Sequence, residues 1–274
     1  METPATQLPS EAITVPFRAP ISLGNDLTYT EISVREPTAG EWLEVTKFTG
    51  REMDIKALVF TGGLPEPVIN KIGVRDFIAA HQALDTFLAK ASDASDIDAT
   101  EITIPLSCSV DFDGQTCAAI TLAEPTAGQW KAWYDLTGVA ADIAAVSIVA
   151  GIPEGMVQRF GLRDLNRAAA WIGRFLARKA SDSNIDDAEF AMPLRRPISF
   201  GDKAYTELLL REPTAAQWKS WDGMSGIASD IAAVASIAEI PIGAAENMGL
   251  RDLNQAAEWI GRFFVSAPGA GAPS

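Results

Sequence analysis

Hydrophobic and polar residues alternate at period two in three short stretches of this chain. Ile32 and Val34 alternate with Glu31 and Arg35, Ile120 and Leu122 with Thr121 and Ala123, and Leu208 and Leu210 with Glu207 and Arg211. Such alternation predicts a strand with one buried face. Each stretch follows a second short run and a turn signal: Ile21-Ser22-Leu23 before Gly24-Asn25-Asp26, Val110-Asp111-Phe112 before Asp113-Gly114, and Ile198-Ser199-Phe200 before Gly201-Asp202. The pair of runs reads as an antiparallel hairpin. Pro193 and Pro197 would each remove a ladder donor from the leading strand, which places that strand at an edge or bulges it.

Past the second strand the period changes. Thr38 and Glu41, Thr126 and Gln129, and Thr214 and Gln217 each have the spacing of a capping box, in which the hydroxyl accepts from an orphan amide and the longer side chain reaches back. A helix is therefore expected after each threonine. Its apolar face runs Trp42, Val45, Phe48 in the first case, Trp130, Trp133, Leu136 in the second and Trp218, Trp221, Met224 in the third, with Gly50, Gly138 and Gly226 as expected stops. A nearly apolar helix follows, through Ile143 and Val146 or Ile231 and Val234, and is expected at the buried centre. After Pro153 comes a short polar turn, then a third long helix with a stripe of Leu165, Ala168, Ile172 and Phe175, repeated as Leu253, Ala256, Ile260 and Phe263.

These elements recur in phase. Glu36-Pro37-Thr38, Glu124-Pro125-Thr126 and Glu212-Pro213-Thr214 stand 88 residues apart, and so do Asp54, Asp142 and Asp230, Arg75-Asp76, Arg163-Asp164 and Arg251-Asp252, and Phe87, Phe175 and Phe263. The period exceeds the roughly 20–50 residues of a solenoid repeat, so each copy is large enough for a small domain. The expected fold is α+β: three tandem repeats, each an antiparallel β-hairpin followed by about three helices. Expected boundaries are 13–93, 101–182 and 187–265, with disordered tails at 1–12 and 266–274 and Ser/Asp/Ala-rich linkers between copies.

Composition narrows the function. A formal charge of −14, from 36 acidic and 22 basic residues in 274, argues against a nucleic-acid-binding surface, which needs clustered Lys and Arg. The most apolar stretch, Ile143 to Ile152, is about half the roughly 20 residues a spanning helix needs, so a soluble, intracellular protein with no membrane partner is expected. Cys108 and Cys117 occur in the middle copy alone. A disulfide between them is geometrically conceivable, but two reduced, space-filling thiols are the expectation.

Catalytic inventory is poor. The single histidine, His81, aligns with Ala169 and Ala257, so no metal site or triad can belong to the repeated module, and a solvated helix residue is expected there. Neither cofactor nor metal is expected. The recurring Asp54, Asp142, Asp230 and Asp76, Asp164, Asp252 stand near helix starts, where a negative charge complements the dipole or pairs with the adjacent arginine; a paired acid–base site is the rival reading. Trp42, Trp130 and Trp218 lie within apolar stripes, the usual place of core residues, and are the candidate partner-binding residues.

The run Ile198-Ser199-Phe200-Gly201-Asp202-Lys203-Ala204-Tyr205-Thr206-Glu207-Leu208-Leu209-Leu210-Arg211-Glu212-Pro213-Thr214, with Leu250-Arg251-Asp252-Leu253 downstream, resembles the small tail assembly chaperones of long-tailed bacteriophages. The first copy keeps Val34-Arg35-Glu36-Pro37-Thr38, whereas the second departs at Ala123 and Cys117. The resemblance implies a non-enzymatic assembly factor, present as three tandem copies. It would act in the host cytoplasm and hold the tape-measure protein soluble while tail tube subunits are recruited. The competing expectation is a structural component of a phage tail or related injection particle built from stacked modules.

Overall fold

The computed structural model describes residues 12–24, 27–88, 99–176 and 188–264. The segments expected as tails, apart from Ala12, the linkers after Lys90 and Lys179, and Asn25-Asp26 lie outside the described residues. Three antiparallel hairpins each precede a set of helices, so the α+β repeat architecture is present. Repeat 1 contains β1 (Ile13–Leu23), β2 (Leu27–Val34), α1 (Ala39–Val45), α2 (Gly50–Gly62), α3 (Glu66–Ile69) and α4 (Val74–Leu88). Repeat 2 contains β3 (Glu101–Phe112), β4 (Gln115–Ala123), α5 (Ala127–Trp133), α6 (Gly138–Ala150), α7 (Glu154–Val157) and α8 (Leu162–Gly173). Repeat 3 contains β5 (Glu189–Phe200), β6 (Lys203–Arg211), α9 (Ala215–Trp221), α10 (Gly226–Ile237), α11 (Ile242–Glu246) and α12 (Leu250–Gly261).

Local chemistry accounts for these elements. Asp113 and Gly114 turn the second hairpin with φ of 48° and 76°, the paired positive values of a type I′ turn. The leading strands are bulged at the same place in the register of all three hairpins. Residues 17–20 stand against Thr30, 106–109 against Ala118, and 194–197 against Thr206. Pro197 falls inside the third bulge, where its missing N–H removes no ladder bond. The alternating residues of the second strands bury as expected, with Ile32, Val34, Ile120, Leu122, Leu208 and Leu210 all inside. A two-stranded hairpin is marginal alone, so this apolar face must be covered by helices, and each such side chain contributes about 1.5–3 kcal/mol on burial.

Two helix boundaries differ from expectation. The first helix of each repeat ends at Val45, Trp133 or Trp221, and the glycine expected to stop it opens the second helix instead. Gly50, Gly138 and Gly226 have φ of 57°, 62° and 60°, a left-handed corner that carries the chain from one helix into the next. The polar turn after Pro65, Pro153 or Pro241 is a one-turn helix, and it buries Val68 and Ile69, Met156 and Val157, or Ala244 and Ala245. The proline lacks a donor at a place where a helix has none to satisfy.

The chain groups into two compact units whose limits differ from those of the repeats. One unit comprises the described residues up to Ala123 with Leu136–Trp171; the other comprises Glu124–Asp135 with the described residues from Ile172 onward. In the first unit α1 packs on α2 of its own repeat and on α6 of the next. In the second, α5 packs on α10 and α11 of repeat 3. The short helix that begins at Glu-Pro-Thr is thus lent forward to the following repeat.

Candidate functional site

Each Glu-Pro-Thr corner begins with its capping box. The amide of Glu41 donates to Thr38 Oγ1 at 3.1 Å while Thr38 N–H donates to Glu41 Oε2 at 2.9 Å. Thr126 and Gln129 repeat the exchange at 3.2 and 2.9 Å, and Thr214 and Gln217 at 3.2 and 3.0 Å. This fixes the direction in which the helix leaves the strand and leaves the preceding glutamate free to turn outward from its own repeat.

Within the first unit, Glu36 meets the start of α8. Its Oε1 accepts the backbone N–H of Arg163 at 2.8 Å, and its Oε2 accepts Arg163 Nε at 3.0 Å and Nη2 at 2.9 Å. The main chain joins in: Leu162 N–H donates to the Pro37 carbonyl at 3.0 Å, Ala39 N–H to Phe160 at 2.8 Å and Gly40 N–H to Gln158 at 2.7 Å. Thr38 and Gly161 form an antiparallel bridge. Gly161 matters sterically, because a Cβ there would sit 2.8 Å from Glu36 Oε1. Arg163 also lies over the Phe87 ring, 5.2 Å from its centroid.

Within the second unit the same contact recurs one period later. Glu124 Oε1 accepts the Arg251 N–H at 3.0 Å, and Oε2 accepts Arg251 Nε at 3.2 Å and Nη2 at 2.8 Å. Leu250 N–H donates to the Pro125 carbonyl at 3.1 Å, Ala127 N–H to Met248 at 2.9 Å, and Thr126 bridges Gly249. Arg251 lies over Phe175 at 4.9 Å, Asn254 Nδ2 donates to the Phe175 carbonyl at 3.1 Å, and Lys131 pairs with Glu246 at 2.9 Å. Glu36 and Glu124 are 2% and 4% exposed. A buried carboxylate is tolerated here because charge-assisted, two-pronged donors and the amide at a helix start satisfy it together.

The recurring carboxylates of the third long helix are a different staple. Asp76 Oδ2 accepts the Arg18 N–H at 2.9 Å, Asp164 the Ser107 N–H at 2.7 Å and Asp252 the Arg195 N–H at 3.0 Å. All three donors lie in the strand bulge, so the aspartate holds the irregular strand to the helix of its own repeat. Of the adjacent arginines, Arg163 and Arg251 serve the preceding repeat instead. Asp54 pairs with Arg51 at 3.0 Å. In repeat 1 the two recurring aspartates thus have separate partners, Arg51 for Asp54 and Arg18 for Asp76.

His81 is half-buried, 3.1 Å from the Asp54 carbonyl and tilted against the Phe77 ring at 4.8 Å, rather than solvated. Cys108 and Cys117 are not joined by a disulfide. Among the described residues no helix is long and apolar enough to cross a membrane, and no group of His, Cys, Asp and Glu could hold a metal ion.

The tryptophans separate by environment. Trp42 is half-buried against the core of repeat 1, and half-buried Trp130 lies edge-on to Tyr134 at 5.7 Å. Trp218 is 50% exposed and touches the Phe264 ring at 5.2 Å. Sequence reasoning picked out the corner as a cap and missed it as a junction. The recurrence of both Glu-Pro-Thr and Gly-Leu-Arg-Asp was the available signal, but it does not reveal which copy of one meets which copy of the other.

No curated protein and no solved structure matches the chain. The family of phage tail assembly chaperone proteins, E, or 41 or 14, matches residues 103–177 and 191–265, which run from β3 past α8 and from β5 past α12. With more than half of its length matched in this way, the chain belongs to the phage tail assembly chaperone family.

Proposed function

We propose that this protein is a non-enzymatic chaperone that binds the tape-measure protein in the bacterial cytoplasm and keeps it soluble until tail tube subunits take over. The observation that carries the reading is the family match over repeats 2 and 3, and family membership implies phage tail proteins as partners. Repeat 1, which has the same order of elements, is proposed as a third module of the same kind. A tape measure is a long helical chain with apolar stripes, and an acidic, helix-rich partner suits it: apolar side chains cover the stripes while a charge of −14 keeps the complex in solution. Trp42, Trp130 and Trp218 are the proposed anchors, Trp218 being the most exposed of them. Three linked modules would make the second and third contacts intramolecular.

Coexpression with an otherwise insoluble tape-measure fragment tests the reading. The fragment is expected to move into the soluble fraction as a complex, and the chain is expected to be depleted from finished tails. Stoichiometric retention in purified particles, with no effect on tape-measure solubility, would replace the chaperone by a structural component.

A further inference from the structure

The Glu-Pro-Thr junction is made twice and left open twice. Glu36 and Glu124 are buried against the helix starts at Arg163 and Arg251, but Glu212 is exposed and makes no ion pair among the described residues. At the other end, Gly73-Val74-Arg75 has the place in repeat 1 that Gly161-Leu162-Arg163 and Gly249-Leu250-Arg251 have in repeats 2 and 3. Leu162 and Leu250 are 2% and 0% exposed, whereas Val74 is 74% exposed. Among the described residues there is therefore one unpaired Glu-Pro-Thr corner and one unpaired helix start.

We propose that these two halves join between chains, the Glu212-Pro213-Thr214 corner of one copy docking on the Gly73-Val74-Arg75 helix start of a second copy. The two internal junctions define the contact. Glu212 would accept the Arg75 N–H and guanidinium, and the Pro213 carbonyl would accept the Val74 N–H. Phe263, which corresponds to Phe87 and Phe175, would lie under the arginine. It already lies under Arg262 at 4.8 Å, as Phe175 lies under Arg174 at 4.7 Å while also carrying Arg251. The surface beside Val74 fits as well. A groove lined by Ile55, Ile69, Ile72, Val74, Phe77 and Ile78 opens between α2, α3 and α4. It belongs to the same helices that α5 covers in repeat 3, where they are α10 and α11. Since the corner and the helix start are different surfaces, the contact is heterologous and is not exhausted by a dimer.

Two positions make this junction weaker than the internal ones. Gly40 and Gly128 approach the next repeat so closely that a Cβ would lie 3.0 Å from Gln158 or 3.2 Å from Glu246, and the third copy has Ala216 there. Ile78 replaces the asparagine that, as Asn254, bonds the Phe175 carbonyl. Association is accordingly reversible and concentration-dependent.

Sedimentation of the full chain over a concentration series tests the proposal, with Glu212→Lys and Arg75→Glu as variants at exposed positions and circular dichroism as the check on folding. The wild-type mass is expected to rise past that of a dimer, and each variant alone to stay monomeric. An equimolar mixture of the two should associate, because it pairs one intact corner with one intact helix start. Ala216→Gly is expected to bring association on at lower concentration. A wild-type chain that stays monomeric, variants that associate like wild type, or a mixture of the variants that remains monomeric would each overturn it.

Discussion

Glu36 and Arg163 lie 127 residues apart and meet through one backbone and two guanidinium hydrogen bonds of 2.8–3.0 Å. The carboxylate is nearly dry, with 3% of its side chain exposed, while the arginine keeps 47%. In the second junction Arg251 keeps only 16% against 3% for Glu124. The two contacts share geometry but differ in solvent, and so does the cost of breaking them.

Glu36→Ala should destabilise the chain by about 2 kcal/mol, since it removes a buried acceptor from three donors while Arg163 can still turn to water. Glu124→Ala should cost more, because the drier Arg251 is left with less hydration. Glu212→Ala, at the exposed corner, should leave stability unchanged at concentrations too low for copies to associate. Denaturant midpoints of the three variants check the order; equal losses at Glu36 and Glu212 would contradict it.

Gly161→Ala forces a Cβ to within 2.8 Å of Glu36 Oε1, where only a shift of the buried carboxylate could make room. A loss of about 1–3 kcal/mol is expected, the range of overpacking. At Gly73 the nearest atom to a new Cβ is Asp76 Oδ2 at 3.9 Å, so Gly73→Ala should be nearly neutral in thermal unfolding.

Thr126→Ala removes the hydroxyl that caps α5 at 3.2 Å, in a helix that packs on repeat 3. About 1 kcal/mol is expected from the unsatisfied amide. Thr214→Ala should cost a similar amount without lowering tape-measure binding measured well below the melting transition. A large binding loss at unchanged stability would move the capping hydroxyl into the recognition surface.

Burial is the main influence on Asp252 and raises its pKa above the usual 3.8, with the Arg195 N–H opposing it. An acid whose folded pKa is raised favours the protonated form, so the folded state gains stability as pH falls through the window just above 3.8 and bears the full cost of the buried charge at neutral pH. Asp252→Asn keeps an acceptor for Arg195 and should abolish that local gain. Asp164→Asn should be worse tolerated at pH 7, because Asp164 also serves the Ser107 hydroxyl at 2.9 Å and Arg167 at 3.0 Å. Stability measured against pH for both variants separates the two cases.

Sequence alone determined the repeat and what happens inside a few residues of chain. The hairpins followed from period-two alternation at Ile32 and Val34 and their counterparts, the strand irregularity from Pro197, and the helix starts from Thr-x-x-Glu/Gln. Each rests on a contact between near neighbours or across one turn, so the pattern carries its own partner. The opening of the second helix by Gly50 was missed because a left-handed glycine ends one helix and begins another with the same residue. The tertiary structure alone decided that Glu36 serves Arg163 rather than Arg75, and Glu124 serves Arg251 rather than Arg163. With identical Glu-Pro-Thr and Arg-Asp elements in every copy, pairing within a repeat and pairing with the next satisfy the same donors and acceptors. The choice is made by where the short helix after the corner finds apolar surface to cover, on α6 and on α10 with α11, and that is a property of packing between repeats that no local pattern encodes.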